Sequence, residues 1–160
     1  MHDVLVTLWR HGEAGSAARD VDRTLTVHGA SHVTATAEMF KGWCQRRGVK
    51  APSRCTHSPL VRAQQTAALL HDALAFSVTK ESDKLAPGHT DYVQGLFLEP
   101  NCDHQLIVGH QPYLSHLINV WCDSAKHTSL HTSGFATLAF TVASRGGAEL
   151  MNYEPVGYGR

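Results

Sequence analysis

The stretch that most constrains this chain is an apolar run near its start, residues 4–9, which ends abruptly at Arg10, His11 and Gly12. Such a run of Val, Leu, Thr and Trp predicts a buried β-strand. Ligands bind at strand ends in open α/β sheets, and this strand ends in groups suited to phosphate. Arg10 offers a planar fork of donors, His11 can act as a nucleophile or base, and Gly12 lets the backbone approach a ligand closely. The stretch predicts one half of a phosphate-binding site.

Length and charge narrow the class of protein. The chain has 160 residues, which favours a single domain over residues 1–160 with a substantial hydrophobic core. Its 14 basic residues equal its 14 acidic residues. This balance argues against nucleic acid or an anionic membrane as a partner, because both call for a basic excess. No apolar window approaches the ~18 residues of a membrane span.

The N-terminus and the cysteines predict a cytoplasmic location. The sequence does not open with a basic segment followed by a long apolar run, which is the pattern of a signal peptide. The four cysteines are widely spaced and include no Cys-x-x-Cys pair, which argues against a zinc site or a redox motif. We therefore expect reduced thiols, as is typical of cytosolic proteins.

Histidine is abundant, with 12 residues in the chain, and this raises the question of a metal site. His28 and His32 are four residues apart, as are His127 and His131, so each pair could share a helix face. Neither pair has a nearby Asp, Glu or Cys that completes an obvious ligand set. We expect solvated polar faces, no bound metal and no other cofactor.

Hydrophobic periodicity and turn residues predict an alternation of strands and helices. Strands are expected near residues 3–9, 53–57, 76–79, 105–108, 135–142 and 149–153, and helices near 27–47, 60–75, 91–98 and 113–121. Thr26 should cap the first helix and Gly48 should end it. Ser58 should cap the second helix, with Pro59 in its first turn. The pattern predicts an α/β fold: a three-layer α/β/α sandwich with a mostly parallel sheet and an antiparallel edge.

Two further segments can complete the phosphate site. The strand at 105–108 is followed by Gly109 and His110, so it too ends in a histidine. Arg62 lies in the first turn of the helix after Ser58, where the positive end of the helix dipole favours an anion. If these ends meet, two imidazoles and two guanidiniums surround one pocket. Two fixed cations match the charge of a phosphoryl group, one histidine can attack phosphorus, and the other can donate to a phosphoryl oxygen.

These motifs resemble the histidine phosphatase superfamily, which has the phosphoglycerate mutase-like fold. Four blocks carry the resemblance, in the family's order, over residues 4–142. They are Arg10-His11-Gly12; Arg23 with Leu25-Thr26 and Gly29; Ser58-Pro59-Leu60 with Arg62-Ala63 and Thr66; and Val108-Gly109-His110 with Pro112.

Within that superfamily the chain is most similar to the small bacterial phosphohistidine phosphatases. The short length, the acid and alanine after Arg-His-Gly, and the early Arg-x-Leu-Thr-x-x-Gly block suggest this. The resemblance implies that His11 is the phosphorylated nucleophile and that Arg10, Arg62 and His110 hold the phosphoryl group. Arg23 is expected first to organise its loop and second to help bind the substrate.

The general acid is the part of the site that no motif identifies. His89 and Asp91, just after Pro87-Gly88, are the best-placed candidates. A phosphohistidine can leave as neutral imidazole, a weak base with a pKa of ~6.5, and so needs less help from an acid than an alcohol does. We therefore predict a phosphatase whose substrate is a phosphohistidine-bearing protein. A broad phosphomonoesterase for small phosphate esters is the alternative, and a non-catalytic phosphoprotein-binding module is a third interpretation.

Overall fold

The computed structural model describes residues 4–88, 101–126 and 129–156. Within these residues the chain forms six strands and three α-helices. The strands are β1 Val4–Arg10, β2 Arg54–His57, β3 Val78–Glu81, β4 His104–Gly109, β5 Phe135–Phe140 and β6 Ala148–Glu154. The helices are α1 Val27–Arg47, α2 Val61–Leu74 and α3 Tyr113–Trp121. Two short 3-10 turns, Asp20–Asp22 and Asp83–Leu85, lie between them.

The six strands form one sheet in the order β3-β2-β4-β1-β5-β6. The pairs β2–β3, β2–β4 and β1–β4 are parallel, whereas β1–β5 and β5–β6 are antiparallel. The predicted parallel sheet with an antiparallel edge is confirmed. In the register between the two central strands, Arg10 lies opposite Gly109. The residues that follow, His11 and His110, therefore leave the sheet side by side.

Helices cover both faces of the sheet. Successive side chains of the central strand β1 point to opposite faces, and each face packs against helices. Trp9 enters the core under α1 and α2, where it stacks on Phe135 at 4.6 Å between ring centroids. Leu8 enters the core on the other face, beneath α3. The predicted three-layer α/β/α sandwich is thus confirmed. None of the helices in the described ranges is long and apolar enough to cross a membrane.

The ends of α1 agree with the sequence, and the start of α2 corrects it. The Thr26 hydroxyl accepts from the Gly29 amide at 2.9 Å, and Gly48 ends the helix in the left-handed region with φ 65°. Ser58 does not cap α2: the helix begins at Val61, so Pro59 precedes its first turn. The Ser58 hydroxyl contacts His110 instead, at 2.7 Å. The residue at the N-cap position of α2 is Leu60, which makes no side-chain cap hydrogen bond.

Two smaller differences concern where strands β3 and β5 begin and end. β3 begins two residues later than predicted, because Phe76 is buried in the core and Ser77 bonds to the Ser53 carbonyl before the strand starts. β5 ends at Phe140, two residues before the predicted end. The helix predicted for residues 91–98 lies outside the described residues.

A close approach between α1 and the loop after β1 leads to a stability prediction. A Cβ on Gly29 would overlap the Glu13 carbonyl oxygen, so Gly29→Ala should lower the free energy of unfolding by about 3 kcal/mol. In the same helix, a Cβ on Gly42 would meet only the flexible end of Arg46, at 3.0 Å. Gly42→Ala should raise stability by about 1 kcal/mol through helix propensity. Urea unfolding of both variants checks the pair, and equal effects would contradict the packing described.

Candidate active site

The residues predicted to hold phosphate meet in one pocket. The His11 amide donates to the Gly109 carbonyl at 3.1 Å, and the rings of His11 and His110 lie 5.0 Å apart between centroids. Arg62, in the first turn of α2, reaches His11 across the pocket. The described part of the cavity measures about 380 Å³. It is lined by Arg10, His11, Glu13, Ala14, Asp20, Arg23, Arg62, Pro87, His110, Gln111 and Thr132.

The local contacts of His11 set which of its ring nitrogens carries the proton. Nδ1 lies 2.8 Å from the Gly12 carbonyl oxygen. A carbonyl can only accept, so Nδ1 carries the proton and Nε2 carries the lone pair. Burial, together with the smaller effects of His110, Arg62 and Arg10 nearby, lowers the pKa of His11 to about 3. At neutral pH the imidazole is uncharged and its Nε2 is nucleophilic.

Backbone contacts hold the loop that carries His11 in place. The Gly12 amide donates to the Thr66 hydroxyl at 3.0 Å, and that hydroxyl donates to the Arg62 carbonyl at 2.8 Å. A Cβ at position 12 would lie 2.7 Å from Val33 Cγ2, so this turn has room only for glycine. Through these two hydrogen bonds, Thr66 connects the loop that carries His11 to the helix that carries Arg62.

His110 is fixed by a contact that the sequence analysis missed. Its Nε2 lies 2.7 Å from the Ser58 hydroxyl, which can donate to it while accepting from the Leu60 amide at 3.2 Å. Burial, with a contribution from Arg62, lowers the pKa of His110 to about 4. When Nε2 accepts from Ser58, the neutral imidazole carries its one N–H on Nδ1, and that group can donate to a phosphoryl oxygen.

The guanidinium of Arg62 is buried and held on three sides. Its Nε donates to His11 Nε2 over 3.4 Å, its Nη1 to the Asp20 carbonyl at 2.9 Å, and its Nη2 to the Asp20 carboxylate at 3.2 Å. Arg10 lines the same pocket and donates to the Leu130 carbonyl at 2.9 Å. Two preorganised cations, Arg62 and Arg10, therefore line the pocket together with His11.

The loop after β1 contributes Arg23 and Asp20. Arg23 donates to the Gly15 carbonyl at 2.8 Å and to the Asp20 carboxylate at 3.1 Å, so it organises the loop while also lining the pocket. Sequence reasoning missed Asp20, because a single aspartate in a polar loop carries no motif. His89 and Asp91, the candidate general acids, lie outside the described residues.

The histidine pairs do not build a metal centre in the part of the chain described here. Among residues 4–88, 101–126 and 129–156, no three His, Cys, Asp or Glu side chains gather in a ligand set. His28 and His32 share a helix face, with ring centroids 6.1 Å apart. His28 is exposed but His32 is buried, so the expectation of a solvated face is wrong for His32. His127 lies outside the described residues.

Comparison with known proteins agrees with this geometry. Residues 6–86 match the family model of the histidine phosphatase superfamily (branch 1). The chain is similar to the protein histidine phosphatase SixA complexed with tungstate, at 26% identity and a TM-score of 0.79, over 95% of this chain and 97% of that one. A SixA structure from Nakamurella multipartitia is also 26% identical, with a TM-score of 0.75 over 98% and 99% of the two chains.

A phosphoglycerate mutase from Plasmodium falciparum shares the fold, at 16% identity and a TM-score of 0.72, over 100% of this chain and 96% of that one. No curated protein sequence matches the chain significantly. The predicted resemblance is confirmed: the chain belongs to the histidine phosphatase superfamily, branch 1, and is a phosphoric hydrolase.

Proposed function

We propose that the protein is a phosphohistidine phosphatase that transfers the phosphoryl group of a phosphorylated protein first to His11 Nε2 and then to water. One observation carries the proposal: a neutral imidazole has its lone pair directed at Arg62, in a pocket that Arg10 and His110 also line. Arg10 and Arg62 neutralise the charge on the phosphoryl oxygens, and His110 donates a hydrogen bond to one of them.

In the first step a bond forms between His11 Nε2 and phosphorus while the phosphorus–nitrogen bond of the substrate breaks. The substrate ring, protonated by solvent on its other nitrogen, leaves as neutral imidazole. The electron pair of the broken bond stays on that imidazole. His11 keeps its Nδ1 proton, shared with the Gly12 carbonyl, so its positive charge in the phosphorylated form is stabilised.

The carboxylates of the described pocket favour such a leaving group. Asp20 is paired with two arginines, Arg23 and Arg62, and the Glu13 carboxylate accepts from the Thr26 hydroxyl at 2.8 Å. The hydrogen bond from Arg23, together with the contacts from Arg62, lowers the pKa of Asp20, so Asp20 is ionised at neutral pH and has no proton to give to an alkoxide. When the leaving group is a neutral imidazole, the nitrogen that departs from phosphorus needs no proton from the protein.

The likeness to SixA supports the choice of substrate. That protein is a histidine phosphatase of proteins and has been observed with tungstate, which is a tetrahedral oxyanion like phosphate. Arg10, Arg62 and His110 are the groups we assign to the equivalent oxyanion here.

Hydrolysis of small aromatic phosphate esters is the second candidate. A neighbouring cavity of about 430 Å³ shares Pro87, His110 and Gln111 with the phosphate pocket. Leu85 and Tyr113 also line it, so it offers an apolar surface to an aryl group.

Rates on three substrates separate these functions. We expect kcat/KM to be at least about 10-fold higher for a phosphohistidine-bearing protein than for p-nitrophenyl phosphate. For an alkyl phosphate it should be lower by about another 10²-fold, because an alkoxide needs a proton. If the alkyl ester is cleaved as fast as phosphohistidine, the enzyme is a general phosphomonoesterase with an efficient acid.

We further propose that residues 1–160 act as a single domain in the cytoplasm. The six described strands form one continuous sheet, and the loops and the helix that carry the assigned groups are attached to it. All four cysteines are unpaired, which suits a reducing compartment.

A further inference from the structure

Asp20 occupies a position that the phosphate-binding roles leave unexplained. It lies on the 3-10 turn after β1 and lines the same pocket as His11. Its carboxylate contacts Arg62 Nη2, and the Nε atom of that same guanidinium contacts His11 Nε2. One guanidinium group therefore separates the carboxylate from the attacking nitrogen. The side chain of Asp20 is 59% exposed, whereas His11 is 7% exposed, so Asp20 lies toward the mouth of the pocket.

From this position we propose that Asp20 is the general base that activates the water which hydrolyses phospho-His11. The inference rests on the proposed function and extends it to the second chemical step. Water must reach phosphorus in line, from the side opposite His11 Nε2. Because His11 is buried and Asp20 is exposed, this side is the mouth of the pocket, where Asp20 lies. A new oxygen–phosphorus bond forms, the nitrogen–phosphorus bond breaks, and His11 recovers its lone pair. The water proton passes to the Asp20 carboxylate and then to solvent, and inorganic phosphate leaves.

The partners of Asp20 suit a base better than an acid. Hydrogen bonds from Arg23, together with contacts from Arg62, hold the pKa of Asp20 below its ordinary value, so the group is ionised at neutral pH. Those bonds engage Oδ1 through Arg23 and Oδ2 through Arg62. Each carboxylate oxygen has a second lone pair, which leaves an acceptor for water. Glu13, the other carboxylate of the described pocket, accepts from the Thr26 hydroxyl at the start of α1, whereas Asp20 contacts the arginine that lies beside His11 Nε2.

The decisive experiment separates formation of the phosphoenzyme from its breakdown. In rapid-quench reactions with a phosphohistidine-bearing protein, Asp20→Asn should form phospho-His11 at a rate within about 3-fold of the parent and hydrolyse it about 10²-fold more slowly. The intermediate should accumulate, and added formate should restore part of the breakdown rate. The open position of Asp20 gives formate access.

Asp22→Asn is the matched control. Asp22 lies on the same turn and pairs with Arg19 at 2.7 Å, and it is not among the residues that line the pocket. It should leave both rates unchanged.

Three results would overturn the inference. Normal breakdown in Asp20→Asn would exclude the base. Equal loss of both steps would show that Asp20 only positions Arg62, and faster formation with tighter phosphate binding would show that it merely competes with substrate for Arg62. Absence of any phosphoenzyme in the parent protein is a different failure, since it would overturn the proposed function itself.

Discussion

Replacing His11 with Asn should lower kcat/KM on phosphohistidine-bearing protein by about 10⁴-fold or more. The asparagine amide can still donate to the Gly12 carbonyl, as His11 Nδ1 does now. What the variant lacks is Nε2, the atom that faces Arg62. The loss should therefore lie in the chemical step, with binding of inorganic phosphate changed by no more than about 10-fold. Steady-state kinetics and calorimetric phosphate titration measure the two effects separately.

His57→Asn provides the control for this variant. His57 is the last residue of strand β2, and its Nδ1 lies 2.8 Å from the carbonyl oxygen of the next residue, Ser58. It lines a separate cavity with Gln64 and His71. The control should retain activity within about 3-fold. Substantial turnover by His11→Asn would contradict the nucleophile assignment.

Acidification should unfold the protein over a narrow range around pH 5. Burial lowers the pKa of His11 to about 3 and those of His104 and His110 to about 4, from 6.5. On acidification, the three histidines of the unfolded chain become protonated near pH 6.5, whereas those of the folded protein become protonated only near pH 3 to 4. The unfolded state therefore binds more protons throughout this window, and the free energy of unfolding falls as the pH falls.

The size of the effect is comparable with the whole stability of a domain. At pH 4.5 the three histidines together remove about 8 kcal/mol, against a typical total of about 5–15 kcal/mol. Urea unfolding without phosphate, between pH 7.5 and 4.5, tests this. His104→Gln should reduce the pH slope by about one third, and His28→Gln, at an exposed position, should not change it. Equal stability at pH 7 and 4.5 would show that these histidines are not buried and neutral.

The layout of the fold could be predicted from the sequence because it follows from local patterns. The apolar runs around Leu8 and Ile107 form the central parallel pair, and they lie opposite each other in its register. Thr26 and Gly48 mark the ends of α1 through short-range hydrogen bonding and a left-handed backbone. That His11 and His110 lie close together could be predicted because each directly follows such a strand.

The contacts that complete the site could not be predicted, because they join residues far apart in sequence. Ser58 before Pro59 is typical of a helix start, and only the fold turns its hydroxyl toward His110, 52 residues away. Asp20 lies in a polar loop without a motif and reaches Arg62 across 42 residues. His89 and Asp91 remain predictions, since they lie outside the described residues.

The most direct test of the account is to identify the phosphorylated atom during turnover. Wild-type protein mixed with a phosphohistidine-bearing substrate, quenched within milliseconds at alkaline pH and digested, should show by mass spectrometry up to one phosphoryl group per chain, on His11. The adduct should be stable in alkali and lost in acid, and it should be absent from His11→Asn. Turnover without any adduct, or with the adduct on another residue, would contradict covalent catalysis by His11.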